Sequence, residues 1–201
     1  MQHLNDFHDI QRTGRVNHIG DPPDELLPLV TPDGTVVGHT VRSRVHQSAG
    51  LLHPTVHVFV TNRSGDLLMQ RRGPQKTCDP MLWDVSVSGH VRYGETPEAT
   101  ALREVSEEIG LVLSLSSIHF LYRYLYSDSR ESELVHSFQV SSDGPFRPNQ
   151  DELDELRFWS TDEIAEHLDR SVFTQRFSLE FQRFRDAVTN QIPDLARCDT
   201  R

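Results

Sequence analysis

The stretch from Gly89 to Leu111 constrains this chain more than any other, because it sets a polar loop against a short helix that carries three carboxylates on one flank. Thr96 suits an N-cap, Pro97 the first helical position, Glu98 the positive end of the helix dipole and Gly110 the stop. Ala101, Leu102, Val105 and Ile109 recur at helical spacing and predict a buried stripe. Glu104, Glu107 and Glu108 stand at i, i+3 and i+4, so they share the opposite flank. Like charges so placed weaken a helix unless they face water or a cation, and hard carboxylate oxygens suit Mg²⁺ or Mn²⁺.

Three glutamates alone read as an ordinary solvated face. The flanking residues change that reading. Gly89 is followed after five residues by Glu95, and after seven more by Arg103-Glu104-Val105-Ser106-Glu107-Glu108-Ile109-Gly110-Leu111. This pattern resembles the Nudix box at each defining position, in the strand, loop and helix context that the motif requires. The resemblance implies a Nudix fold: an α/β/α sandwich with a mixed sheet, the box helix following a strand and a loop. It also implies hydrolysis of a diphosphate linkage in a small molecule, a nucleoside di- or triphosphate or a derivative, with Mg²⁺ (or Mn²⁺) as cofactor. By position, Glu104, Glu107 and Glu108 would be metal ligands and catalytic groups. Gly89 would offer its carbonyl to the metal, and Arg103 would pair with Glu95 and orient the carboxylates. Which glutamate acts as base varies in the family and stays open.

Beyond the box, His46, Leu51-Leu52-His53, Gln70-Arg71-Arg72, Lys76, Pro80, Trp83 and Ser88-Gly89-His90 resemble the Nudix branch of type I isopentenyl-diphosphate isomerases and their hydrolase-like relatives. In that branch histidines and two glutamates hold a divalent ion, which makes His46, His53, His90, Glu131 and Glu133 secondary metal candidates. Alternation places Glu131 and Glu133 on one face of an extended segment. The bland alternative is strand-capping histidines and loop charges. The isomerases carry a cysteine just before the Gly-His pair for proton transfer to carbon, whereas Ser88 stands there in this chain. A hydroxyl is a far poorer acid and base near neutrality than a thiol. The isomerases also lose part of the glutamate set, which is complete here. Hydrolysis is therefore the expectation. The alternatives are an isomerase-like enzyme and a non-catalytic nucleotide-binding module, although such modules usually lose box carboxylates.

Arg71 and Lys76 are candidates for the substrate phosphate, and alternation lets only one of Arg71 and Arg72 face the site. Arg42 is a weaker candidate, and Cys78 reads as a bystander. In the acidic run Asp151 to Glu155, Glu152 and Glu155 are the choices if one residue is catalytic.

The 201 residues suit one domain, expected over 23–190 with polar tails at 1–22 and 191–201. A formal charge of −10 argues against a nucleic acid polymer as partner, so an anionic substrate needs a local basic pocket. No apolar run is long enough for a membrane, and the start lacks a hydrophobic signal core. Cys78 and Cys198 form neither a disulfide framework nor a CxxC site, so a cytoplasmic location is expected. Strands are predicted at Glu25 to Val30, Thr35 to Val37, Val56 to Thr61, Leu67 to Gln70, Trp83 to Ser88, Ile118 to Tyr126, Leu134 to Val140 and Leu156 to Ser160. Helices are predicted from Ser160 to about His167 and from Phe173 to Val188. Phe173, Phe177, Phe181 and Phe184 in the last helix read as core packing or as the seam of a homodimer.

Overall fold

One long strand organises the molecule. The run Val56 to Thr61 is rich in β-branched residues, and the strand it belongs to, β3 (Leu52–Thr61), touches three neighbours. A computed structural model shows this arrangement and describes residues 22–76 and 78–191. Most of both expected tails, and Cys198, lie outside the described residues. Two strands precede β3: β1 (Leu26–Val30) and β2 (Val36–Val41) form a separate hairpin around Pro32-Asp33-Gly34, where Gly34 takes a φ of 92°.

On one side, β3 runs parallel to β8 (Ser132–Ser141) in unbroken register from Leu52 opposite Ser132 to Thr61 opposite Ser141. On the other, its end pairs antiparallel with β4 (Leu67–Arg72) and its first half with β6 (Val87–His90). β5 (Trp83–Asp84) and β9 (Leu153–Trp159) flank β4, and β7 (His119–Ser127) closes the far edge on β8. The result is a mixed seven-stranded sheet. Four α-helices are described: α1 (Arg42–Val45), α2 (Pro97–Ile109), α3 (Thr161–His167) and α4 (Gln175–Gln191).

Strand alternation sends β3 side chains to two faces. Val56, Val58 and Val60 join Leu68, Val87, Phe138 and Val140 beneath Ala101, Val105 and Ile109 of α2. Phe59, with Leu67 and Met69, meets Phe177, Phe181 and Phe184 of α4 on the opposite face. The expected α/β/α sandwich is thus the architecture observed, and the phenylalanine stripe lies in its core rather than at a seam between copies. A buried charge pair also ties α4 to the sheet: His57 Nδ1 lies 2.5 Å from Glu180 Oε2, and the Ser137 hydroxyl donates to the same carboxylate.

The box helix begins and ends as its sequence predicts. Thr96 Oγ1 accepts from the Ala99 N–H at 3.2 Å, and Gly110 is left-handed with φ 68°. Other boundaries move. β3 starts at Leu52, because the full-length parallel partner β8 holds His53, Pro54 and Thr55 extended despite their weak strand signal. The single strand expected from Trp83 to Ser88 is two, since Trp83–Asp84 pairs with β4 and Val87–His90 with β3. β9 begins at Leu153, placing Asp154 and Glu155 on a strand instead of in an acidic loop. The last helix starts at Gln175, where the Thr174 hydroxyl accepts from the Phe177 N–H. Among the described residues, no helix is long and apolar enough to cross a membrane.

Phe177→Ala is expected to destabilise the fold by about 3–5 kcal/mol, against about 0.5 kcal/mol or less for the exposed Leu179→Ala. Urea unfolding followed by circular dichroism measures both, and similar losses would overturn the assignment of this stripe to the core.

Candidate active site

The box side chains gather where β6 and the loop after it pass under α2. Gly89 lies on β6 opposite Val56, and a Cβ there would overlap the Glu104 carboxylate. Only glycine lets that carboxylate rest against the strand. Arg103 is the hub. Its Nε and Nη2 reach Glu95 at 3.2 and 3.1 Å, Nη1 reaches Glu104 at 2.7 Å and Glu107 at 3.0 Å, and Nη2 also donates to the His90 carbonyl at 3.3 Å. Thr100 donates to Glu95 at 2.8 Å from the helix itself. Glu108 points inward, where Gln70 of β4 donates to it at 3.1 Å.

Burial dominates the electrostatics. It pushes the Glu104 carboxyl up to about 7, opposed by Arg103 and reinforced by the charges of Glu107 and Glu152. Burial, together with Glu104 and Glu152, carries Glu108 well above the usual carboxylate range, while Lys76 and Arg72 pull the other way. Glu95 is the contrast: burial would raise it, but the hydrogen bonds from Arg103 and Thr100 hold it low. Glu107 is about half exposed and is also approached by Arg92 at 4.0 Å.

Glu152 therefore belongs with the box carboxylates in space, and Lys76 Nζ sits 3.3 Å from its Oε2. Glu155 does not join them, being paired with Arg71 at 2.9 Å. Arg71 is spent on Asp154 and Glu155 and stacks near Trp83, so the structure does not bring it to the carboxylates. Arg72 is the one whose charge reaches Glu108, while its own Nη1 holds Asp84 at 3.2 Å. Arg42 pairs with Glu25, and Cys78 meets Arg130 at 3.2 Å.

A second cluster lies on the α4 face of the sheet. His53 is in register with Glu133 across β3 and β8, and His90 joins them from β6. One ligand atom each of His53, His90 and Glu133 lies within 4.8 Å of the others. His46, at the end of α1, has its ring centroid 5.0 Å from that of His90, and its Nδ1 lies 2.6 Å from Glu131 Oε2. All five secondary candidates are thus brought together. His53 Nδ1 is 3.0 Å from the Leu51 carbonyl, to which it donates as the Nδ1–H tautomer, leaving a bare Nε2. That nitrogen and both ring nitrogens of His90 are buried without a hydrogen-bond partner. Burial, then the surrounding cations, pushes His90 well below its ordinary value, and burial lowers His53. Neutral imidazoles with unpartnered nitrogens beside a carboxylate fit a metal ion.

Arg176 of α4 completes this cluster, and sequence reading missed it. It pairs with Glu131 and Glu133 from a helix whose only legible signal was its aromatic spacing.

Fold and site together define an enzyme with a buried carboxylate centre on one sheet face and a histidine-rich cluster on the other. The sequence matches the NUDIX domain over residues 51–178, and the chain belongs to the Nudix family. It is 33% identical over 167 residues to an isopentenyl-diphosphate Delta-isomerase of Streptomyces avermitilis, covering 81% of this chain and 85% of that one. It is 35% identical over 144 residues to an uncharacterized Nudix hydrolase of Listeria monocytogenes, covering 66% and 85%. Among solved structures, a Deinococcus radiodurans protein shares the fold with a TM-score of 0.68 at 24% identity, over 79% of this chain and 98% of that one. A MutT protein of Methanosarcina mazei gives a TM-score of 0.58 at 20% identity, over 70% and 96%.

Glu104 and Glu108 are protonated in the metal-free folded protein at pH values where the unfolded chain has already ionised them. Their contribution is therefore complete at low pH; that of Glu104 is lost as pH rises through about 7, and that of Glu108 as pH rises through its own raised value. The neutral His53 and His90 oppose this trend only below their ordinary value of 6.5. In EDTA, the melting temperature is expected to fall between pH 6.5 and about pH 8, and Glu104→Gln to flatten that slope. A melting temperature that rises over this range would count against the buried, protonated carboxylates.

Proposed function

We propose that this Nudix hydrolase cuts the diphosphate linkage of a nucleoside di- or triphosphate, or a derivative of one, and releases a monophosphate. The observation that supports it is the convergence of Glu104, Glu108 and Glu152 beside Lys76, with Arg103 binding the exposed side of the set. The nucleoside part of the reading rests on the family.

Glu104, Glu107 and Glu108, with the Gly89 backbone close beneath Glu104, offer the hard oxygen donors that Mg²⁺ or Mn²⁺ prefers. When bound, such an ion neutralises phosphate charge and makes a water easier to deprotonate. The chain supplies the rest. Burial raises the proton affinity of Glu104 and Glu108 in the metal-free protein, the ion's charge would hold both ionised as ligands, and Glu152 adds a third charge that both feel. Lys76 is the first candidate to meet phosphate oxygens, with Arg71 or Arg72 as the second, both of them paired with acids in the metal-free protein. Arg103 and Glu95 hold the glutamates in a single arrangement. In this reading residues 23–190 form the catalytic domain, the substrate is a small molecule and the location is cytoplasmic. The buried phenylalanines leave a homodimer without a seam in this stripe.

An isopentenyl-diphosphate isomerase is the second reading, favoured by the assembled His46, His53, His90, Glu131 and Glu133 cluster and by the Streptomyces relative. Ser88 argues against it, because the proton donor to carbon would be a hydroxyl.

Purified protein with Mg²⁺ is expected to release monophosphate from at least one member of a panel of nucleoside di- and triphosphates, nucleotide sugars, dinucleotides and prenyl diphosphates. Glu107→Gln is expected to lower kcat/KM by about 10²-fold or more with folding intact, and Gly89→Ala to lower it similarly by displacing Glu104. Double-bond migration in isopentenyl diphosphate would replace the hydrolase reading with the isomerase. Failure to cleave any member would leave a binding module.

A further inference from the structure

The cluster on the α4 face already holds a cation. Arg176, at the start of α4, places Nη2 at 2.5 Å from Glu131 Oε1 and Nη1 at 2.7 Å from Glu133 Oε2. Its guanidinium carbon lies 4.6 Å over the Tyr126 ring, which holds it from the other side. Arginine stays charged in such a setting, and its planar fork spans two carboxylates as one unit. Meanwhile His53 Nε2 and both nitrogens of His90 find no partner. Arg176 therefore lies against both carboxylates, although its ion pair with Glu133 leaves Oε2 without an aligned hydrogen bond, and among the imidazoles only His46 is bonded to a carboxylate, that of Glu131.

We propose that Arg176 is a resident counter-cation that sets the metal affinity of this cluster by competing with the ion for Glu131 and Glu133. The consequence has two parts. Like charge next to the site weakens the binding of every divalent ion, and the ion must compete with the guanidinium for each oxygen that accepts from it. Imidazole nitrogens suit Zn²⁺ and neighbouring transition ions, whereas Mg²⁺ depends on carboxylate and water oxygen. This inference rests on the cluster being a metal site and is independent of which bond the box centre cuts.

The test uses the full chain with the box centre silenced by Glu104→Gln and Glu107→Gln, so that metal binding reports the α4-face cluster. Mn²⁺ is titrated with electron paramagnetic resonance of the free ion as readout, and nitrogen couplings in spin-echo spectra report imidazole ligation. Arg176→Gln is expected to bind Mn²⁺ at least tenfold tighter than the unsubstituted position, with nitrogen couplings present, while Arg176→Lys stays near it. Should the glutamine variant not fold, Arg176→Met carries the comparison, since it keeps an apolar stem against Tyr126. Equal or weaker Mn²⁺ binding with nitrogen couplings retained overturns the role of Arg176 alone. An absence of nitrogen-coupled Mn²⁺ in every variant removes the cluster as a metal site and the inference with it. Both outcomes leave box-centred hydrolysis standing.

Discussion

Three glutamates on one helix flank repel one another, and setting them against a sheet adds the cost of taking charge out of water. Arg103 makes that arrangement tolerable. By contacting Glu95, Glu104, Glu107 and the His90 carbonyl together, it spreads one positive charge over the cluster and ties the helix to the strand beneath. It does not remove the whole cost, and the remainder appears as raised proton affinity at Glu104 and Glu108. Removing one partner of such a network leaves an uncompensated buried charge, so Arg103, Glu95 and the inward glutamates act as a unit. Gly89 belongs to that unit as well, since the carboxylate reaches its place only over a residue without a side chain.

The second constraint is the alternation of β3. Its valines face α2 and the box, while His53, Thr55, His57 and Phe59 face α4. One strand thereby serves two polar centres on opposite sides of a single sheet and insulates each with its own apolar cluster. β6 repeats the pattern in miniature, because Gly89 serves the box and His90 the other cluster from adjacent positions. A one-residue slip of either strand would exchange the faces and dismantle both centres. The uninterrupted register between β3 and β8 is what prevents it.

Each centre is organised by an arginine, yet the two differ in what they leave available. Arg103 binds the solvent side of its carboxylates and leaves the inner one to an amide, whereas Arg176 contacts both carboxylates of a cluster in which His53 Nε2 and both His90 nitrogens lack a hydrogen-bond partner. Ser88 directly precedes Gly89 and His90 on β6, with a hydroxyl that is a weaker acid and base than a thiol.

The box helix, its caps, its buried stripe and the carboxylate flank were all legible in the sequence, because each depends on spacing along one short element. The aromatic stripe of the last helix was legible for the same reason, although its spacing left core packing and a homodimer seam open. The meeting of His46, His53, His90, Glu131 and Glu133 was legible only through family resemblance, since these residues come from four separate segments. Tertiary structure alone decided the rest. Whether Arg71 or Arg72 approaches the carboxylates turned on a register shift between them and on acids from β9, a strand that sequence placed too late. Glu152 was separated from Glu155 by the start of that strand. Arg176 had no local signal at all: its role exists because α4 packs across β8, and a cation acquires meaning from the charges that the fold brings to it.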